Sequence, residues 1–90
     1  MAIYDELEEL VGRLTALKIN YPDFSIRVDP SVDLYSKVLG GNLTPQLLHY
    51  IGNDMAELLN YLTDVYNNVQ EVRNELKPII RLLQSLTEPV

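Results

Sequence analysis

The chain of 90 residues has no cysteine and no tryptophan, and only one histidine and one phenylalanine. Without cysteine, neither disulfides nor a thiolate metal site can reinforce a core that, at this length, removes only about 60–65% of the unfolded surface from water. Bases are scarce as well: seven Lys and Arg stand against thirteen Asp and Glu, a net charge of −6. From Val38 to Val72 there is no base at all. That deficit argues against nucleic acid or an anionic membrane as a partner, since both are held by clustered cations. No apolar run approaches the length of a membrane span. The first ten residues carry four acids and no apolar stretch, unlike a secretory signal, so a cytoplasmic location is the expectation.

What the chain does have is a repeat. Leu48, Met55, Leu62, Val69, Leu76 and Leu83 recur every seven residues, and Ile51, Leu58, Val65, Val72, Ile79 and Leu86 recur three positions behind them. Spacing that alternates three and four keeps one seam of a helix apolar along its length. The expectation is an all-α single domain over 1–90: a helix over 1–18, a connector over 19–44 containing a short helix at 30–39, and one long heptad-patterned helix over 45–86.

The first helix rests on Ile3, Leu7, Leu10, Leu14 and Leu17, with Asp5, Glu6, Glu8 and Glu9 in its first turns, where the helix dipole favours negative charge. In the connector, Phe24, Ile26 and Val28 alternate with Ser25 and Arg27, which reads as an extended segment after the Tyr21-Pro22 turn. Asp29-Pro30 and Thr44-Pro45 both read as helix starts, and Gly40-Gly41 as a helix stop. Asn67-Asn68 resembles a turn, but the seven-residue phase runs through it undisturbed, so the long helix is expected to continue. Pro78 would kink it.

An unbroken helix of that length, about 63 Å at 1.5 Å per residue, is far longer than anything else in the chain. Its seam would stay wet in a monomer, so the twelve seam residues are the expected oligomer interface. Apolar flanks (Leu59, Tyr66 and Ile80 on one side, Tyr61 and Leu82 on the other) favour a bundle of about four helices, built from a dimer or tetramer of this chain. Asn53, Asn60, Asn67 and Asn74 mark the outer side.

No residue set nominates catalysis. The one histidine, His49, would have to fill every role of a nucleophilic triad, and it has neither Cys nor a second His as a co-ligand. No catalytic residue, cofactor or metal is expected. Glu57, Asp64 and Glu71 repeat every seven residues as an acidic stripe and, with Tyr61 and Tyr66, form the candidate partner face. Arg73, Lys77 and Arg81 form a basic stripe, expected to complement the helix dipole or to pair with Glu6 and Glu9. The functional expectation is a non-catalytic homo-oligomeric bundle acting in protein–protein interaction, a structural or regulatory accessory protein of the kind frequent in viruses and mobile elements. Two alternatives stand beside it. One is a small acidic inhibitor of a basic site on a nucleic-acid enzyme; the other is a ligand-binding oligomer with an inter-subunit pocket lined by Tyr and the 20–29 connector.

Overall fold

The computed structural model describes residues 2–42 and 44–88, with side chains from Tyr4 onward; Met1 and the Ile3 side chain lie outside the described residues. Four helices follow one another: α1 (Ala2–Asn20), α2 (Ser25–Leu39), α3 (Pro45–Asn68) and α4 (Arg73–Thr87). Single 3-10 turns at Pro22–Phe24 and Gln70–Val72 make the first and last connections. Each helix packs on its neighbour in sequence, and α4 closes the ring on α1. Connections this short force antiparallel neighbours, so the helices run up, down, up and down. With 24 residues α3 is about 36 Å long, which matches the 37 Å long axis of the molecule.

The core follows the heptads. Leu7, Leu10, Leu14 and Leu17 of α1 are buried, as are Met55, Leu58 and Leu62 of α3, Val72, and Leu76, Ile79 and Leu83 of α4. Ile51, Val65 and Leu86 are partly buried against them. Only Leu48 and Val69 of the twelve seam residues are exposed, at 54% and 41%. The cover that the seam requires is therefore supplied by the same chain.

The expected long helix is two helices. Val69 leaves helical geometry for extended backbone (φ −128°, ψ 102°), the 3-10 turn follows, and α4 returns along α3. Undisturbed phase is no proof of continuity, because in a hairpin each arm needs its own inward stripe. A connection that rotates the second arm suitably preserves the count. The length argument for a second chain therefore no longer applies. Pro78 sits within α4, partly buried and away from the break.

The end of α3 is finished by side chains. Arg73 Nε donates to the Tyr66 carbonyl (2.7 Å) and Nη2 to that of Asn67 (3.4 Å), while Asn68 Nδ2 donates to the Asp64 carbonyl (2.7 Å). The Tyr66 and Asn67 carbonyls are among the last four, which the helix itself leaves unpaired. The Arg73 guanidinium also lies over the Tyr66 ring, 5.2 Å from its centroid. Arg73 thus places its charge at the negative end of α3. Glu9, expected to pair with the α4 bases, pairs instead with Arg13 one turn along α1.

The connector also differs from expectation. Residues 25–29 are the first turns of α2, and the working pattern is Phe24, Val28, Ser31, Tyr35 and Val38, all buried at helical spacing. Ile26, counted as part of an alternating strand, is 91% exposed. The serine in the stripe hid the helical period. Pro30 falls inside α2, where it denies the Ile26 carbonyl its usual donor; both residues face water, which can replace the bond. Asp29 pairs with Lys18 of α1 and does not cap.

Two boundary signals act as read. The Thr44 hydroxyl accepts from Leu47 N–H at 3.0 Å. Gly41 adopts φ +93°, a left-handed conformation that favours glycine, so that Asn42 N–H reaches the Lys37 carbonyl and Gly41 N–H that of Val38.

Replacing Arg73 by Met keeps the stem but removes the bonds to the α3 carbonyls. It should lower stability in urea titrations by about 1–2 kcal/mol. Arg73→Lys should recover little of that, because an ammonium cannot reproduce the guanidinium's fork of donors.

Candidate functional site

On α2, residues four apart lie one above another on the same face. Arg27, Ser31 and Tyr35 occupy such a row, and Asp54 meets it from α3. Asp54 Oδ2 accepts from the Ser31 hydroxyl at 2.7 Å and from the Tyr35 hydroxyl at 2.6 Å. Arg27 Nη1 donates to Ser31 Oγ at 3.0 Å and stands 3.7 Å from Asp54 Oδ1. Ser31 and Tyr35 are fully buried. Arg27 Nη2 is buried with no hydrogen-bond partner among the described residues.

Burial, then the hydrogen bond to Asp54 and its negative charge, push the Tyr35 pKa well above the ordinary phenolic value. Tyr35 is therefore a neutral donor at physiological pH. The Ser31 and Tyr35 hydroxyls and Arg27 Nη1 are each turned toward another member of the cluster, and Arg27 Nη2 is the exception. This arrangement fixes α2 against α3, the thinnest of the four helix interfaces, by bonds with angular requirements.

Three clefts surround α3. The first, about 580 Å³, lies between α2 and α3 and is lined by Asp33, Lys37, Tyr50, Asn53, Asp54 and Glu57 among others. The second, about 350 Å³, joins the α1–α2 turn to the α3–α4 turn. Its walls are Tyr21, Phe24, Tyr61, Val65, Val69 and Val72, and Asp23 and Glu71 also line it. Phe24 meets Tyr21 and Tyr61 edge to face, with centroids 6.3 and 6.4 Å apart. The third, about 300 Å³, lies between α3 and α4 and is lined by Thr63, Tyr66, Asn67, Lys77, Ile80, Arg81 and Gln84.

The candidate partner face is thus divided. Glu57 borders the first cleft, Tyr61 and Glu71 share the second, and Tyr66 borders the third beneath Arg73. Asp64 is exposed on α3. His49 is exposed, with its Nε2 3.3 Å from Asn53 Nδ2. Among the described residues no group of three or more His, Asp or Glu side chains could hold a metal ion, and no helix is long and apolar enough to cross a membrane.

Arg27, Ser31 and Asp54 were not singled out by sequence reasoning. One signal existed: Asp54 stands seven residues before Tyr61, a carboxylate on the flank of the seam that also carries Tyr61 and Leu82. Nothing in the spacing identifies α2 as its partner. No family model matches the chain, and neither does any curated protein or solved structure.

The Asp54 side chain is only 21% exposed, so removing it strands the Ser31 and Tyr35 hydroxyls and leaves Arg27 without its carboxylate partner. Asp54→Ala should cost about 3 kcal/mol, against about 1 kcal/mol for Ser31→Ala, by chemical denaturation. A second expectation concerns alkali. The folded protein holds the Tyr35 proton more tightly than the unfolded chain, whose tyrosines ionise near pH 10. The contribution is intact below that pH and declines as pH rises above it. The urea midpoint should accordingly fall above about pH 10. Tyr35→Phe should begin less stable at neutral pH and show a shallower alkaline decline.

Proposed function

We propose that the chain is a non-catalytic protein-interaction module that engages a basic partner protein through the outer face of α3. One observation carries this reading. Between Val38 and Val72 the chain has four acids and no base, and three of the four, Glu57, Asp64 and Glu71, are exposed on α3 and the turn after it. Charge of one sign on a helical face steers partners of the other sign and rejects like-charged ones. Blocking a basic site on a larger enzyme is one form such an interaction takes.

The bonds that Arg27, Ser31, Tyr35 and Asp54 make with one another support a positioning role for this cluster. Self-association, the second reading, is favoured by a separate feature: Leu48 and Tyr50, in the first turns of α3, are 54% and 57% exposed. That is a modest apolar surface compared with the full seam, so it supports a weaker contact than a shared core would make.

Panning displayed peptides against the immobilised chain should enrich sequences rich in Lys and Arg. Glu57→Lys combined with Asp64→Lys should weaken the selected peptides at least about tenfold while leaving the fold intact, since both side chains are exposed. Neutral or acidic peptides, or binding indifferent to the double substitution, would refute the reading. Light scattering on the same samples distinguishes self-association: a mass above 10.3 kDa that Leu48→Lys abolishes would establish it.

A further inference from the structure

The heptad seam is covered from Met55 to Leu62 and from Val72 to Leu83, but the cover lapses at the hairpin, where Val65 is half-buried and Val69 is 41% exposed. Those two valines do not lie on an open convex surface. They form one wall of the 350 Å³ groove whose other walls are Tyr21, Phe24 and Tyr61. Phe24 is buried and touches both tyrosines edge to face, so the aromatic walls are set by core packing. Asp23 and Glu71, one from each turn, are exposed beside them and make no ion pair among the described residues; no base lines the groove.

We infer that this groove takes one large apolar side chain of a partner protein, presented by a segment with Lys or Arg on either side of it. The inference rests on the protein-interaction reading above and gives the partner its chemistry. The groove is at the small end of the range for binding pockets, roughly 300–1,000 Å³, which suits a single anchor residue. Its walls are apolar, while few convergent polar groups are available to orient a metabolite. The two carboxylates would repel a phosphate or an acidic segment and would pair with bases flanking an aromatic or aliphatic anchor. Ile19 in the last turn of α1 and Ile26 in the first turn of α2, which flank the Pro22–Phe24 turn in sequence, are also exposed.

The test uses two capped synthetic peptides, Lys-Arg-Trp-Arg-Lys and Glu-Asp-Trp-Asp-Glu, titrated to about 2 mM into the ¹⁵N-labelled chain, with amide shifts followed by NMR. The basic peptide should produce saturable shifts at Tyr21, Phe24, Tyr61 and Val69, and the acidic one none. A basic peptide with Ala in place of Trp should bind at least about tenfold more weakly, as should the Trp peptide to a chain carrying Asp23→Lys and Glu71→Lys. Both substituted residues are exposed, and the spectrum itself reports whether the variant is folded. Saturable shifts confined to Glu57 and Asp64 would overturn the groove while leaving the reading of the α3 face in place. Equal binding of the acidic peptide, or binding unchanged in the double variant, would also overturn it. Absence of saturable shifts anywhere would remove both.

Discussion

A helix that is apolar along its whole length can be covered by another chain or by folding back on itself, and Val69 decides between these by leaving helical backbone geometry. Everything else in the bundle depends on that choice. Because α4 returns along α3, Met55, Leu58 and Leu62 face the same core as Leu76, Ile79 and Leu83, and α1 can close the ring by packing on α4. The 3-10 turn after Val69 and the capping of α3 by Arg73 make the reversal chemically complete: carbonyls that would otherwise lack donors receive them from the residue that begins the next helix. A four-helix architecture, expected from two copies of the chain, is reached within one.

Hydrocarbon packing and polar bonding divide the work between interfaces. The buried residues that α1 and α4 contribute to the core are leucine and isoleucine, which attract without prescribing a register, and the Lys18–Asp29 pair joins α1 to α2 at the surface. The α2–α3 contact has the Asp54 cluster instead. The two hydrogen bonds that cross it, at 2.6 and 2.7 Å, reject small shifts that an apolar contact would tolerate. This arrangement also keeps the chemistry inward. The exposed acids of α3 are left as surface charge, and the groove at the hairpin is left apolar.

How much of this was legible in the sequence depends on the kind of signal. α1 was readable from its stripe of leucines, the stop at Gly41 from the demand for a left-handed residue, and the start at Thr44 from its capping hydroxyl. Each of these is a local requirement. The break at Val69 was not readable from the heptads, because a helical hairpin and a straight helix impose the same periodicity on each arm. The helical character of residues 25–29 was hidden by Ser31, a buried polar residue that interrupts the apolar count and earns its place only through Asp54, 23 positions away. Charged residues on the flanks of the seam broke the apolar pattern at Asp54, Arg73 and Glu75. Of these, Asp54 anchors α2 and Arg73 caps α3. A departure from the pattern was the informative datum, and its partner could be supplied only by tertiary structure.

The ring of helices has a kinetic consequence. Three of its four interfaces join helices adjacent in sequence, so they close short loops at low entropic cost. The fourth, α1 against α4, brings together segments separated by most of the chain. Local contacts of this sort favour rapid folding, with helical hairpins forming ahead of long-range docking. On this geometry the α3–α4 contact closes over the short connection at residues 69–72, and the seating of α1 on α4 completes the core. Until that event Leu76, Ile79 and Leu83 remain partly open to water, so the interval before ring closure is when the chain is most prone to associate wrongly with itself.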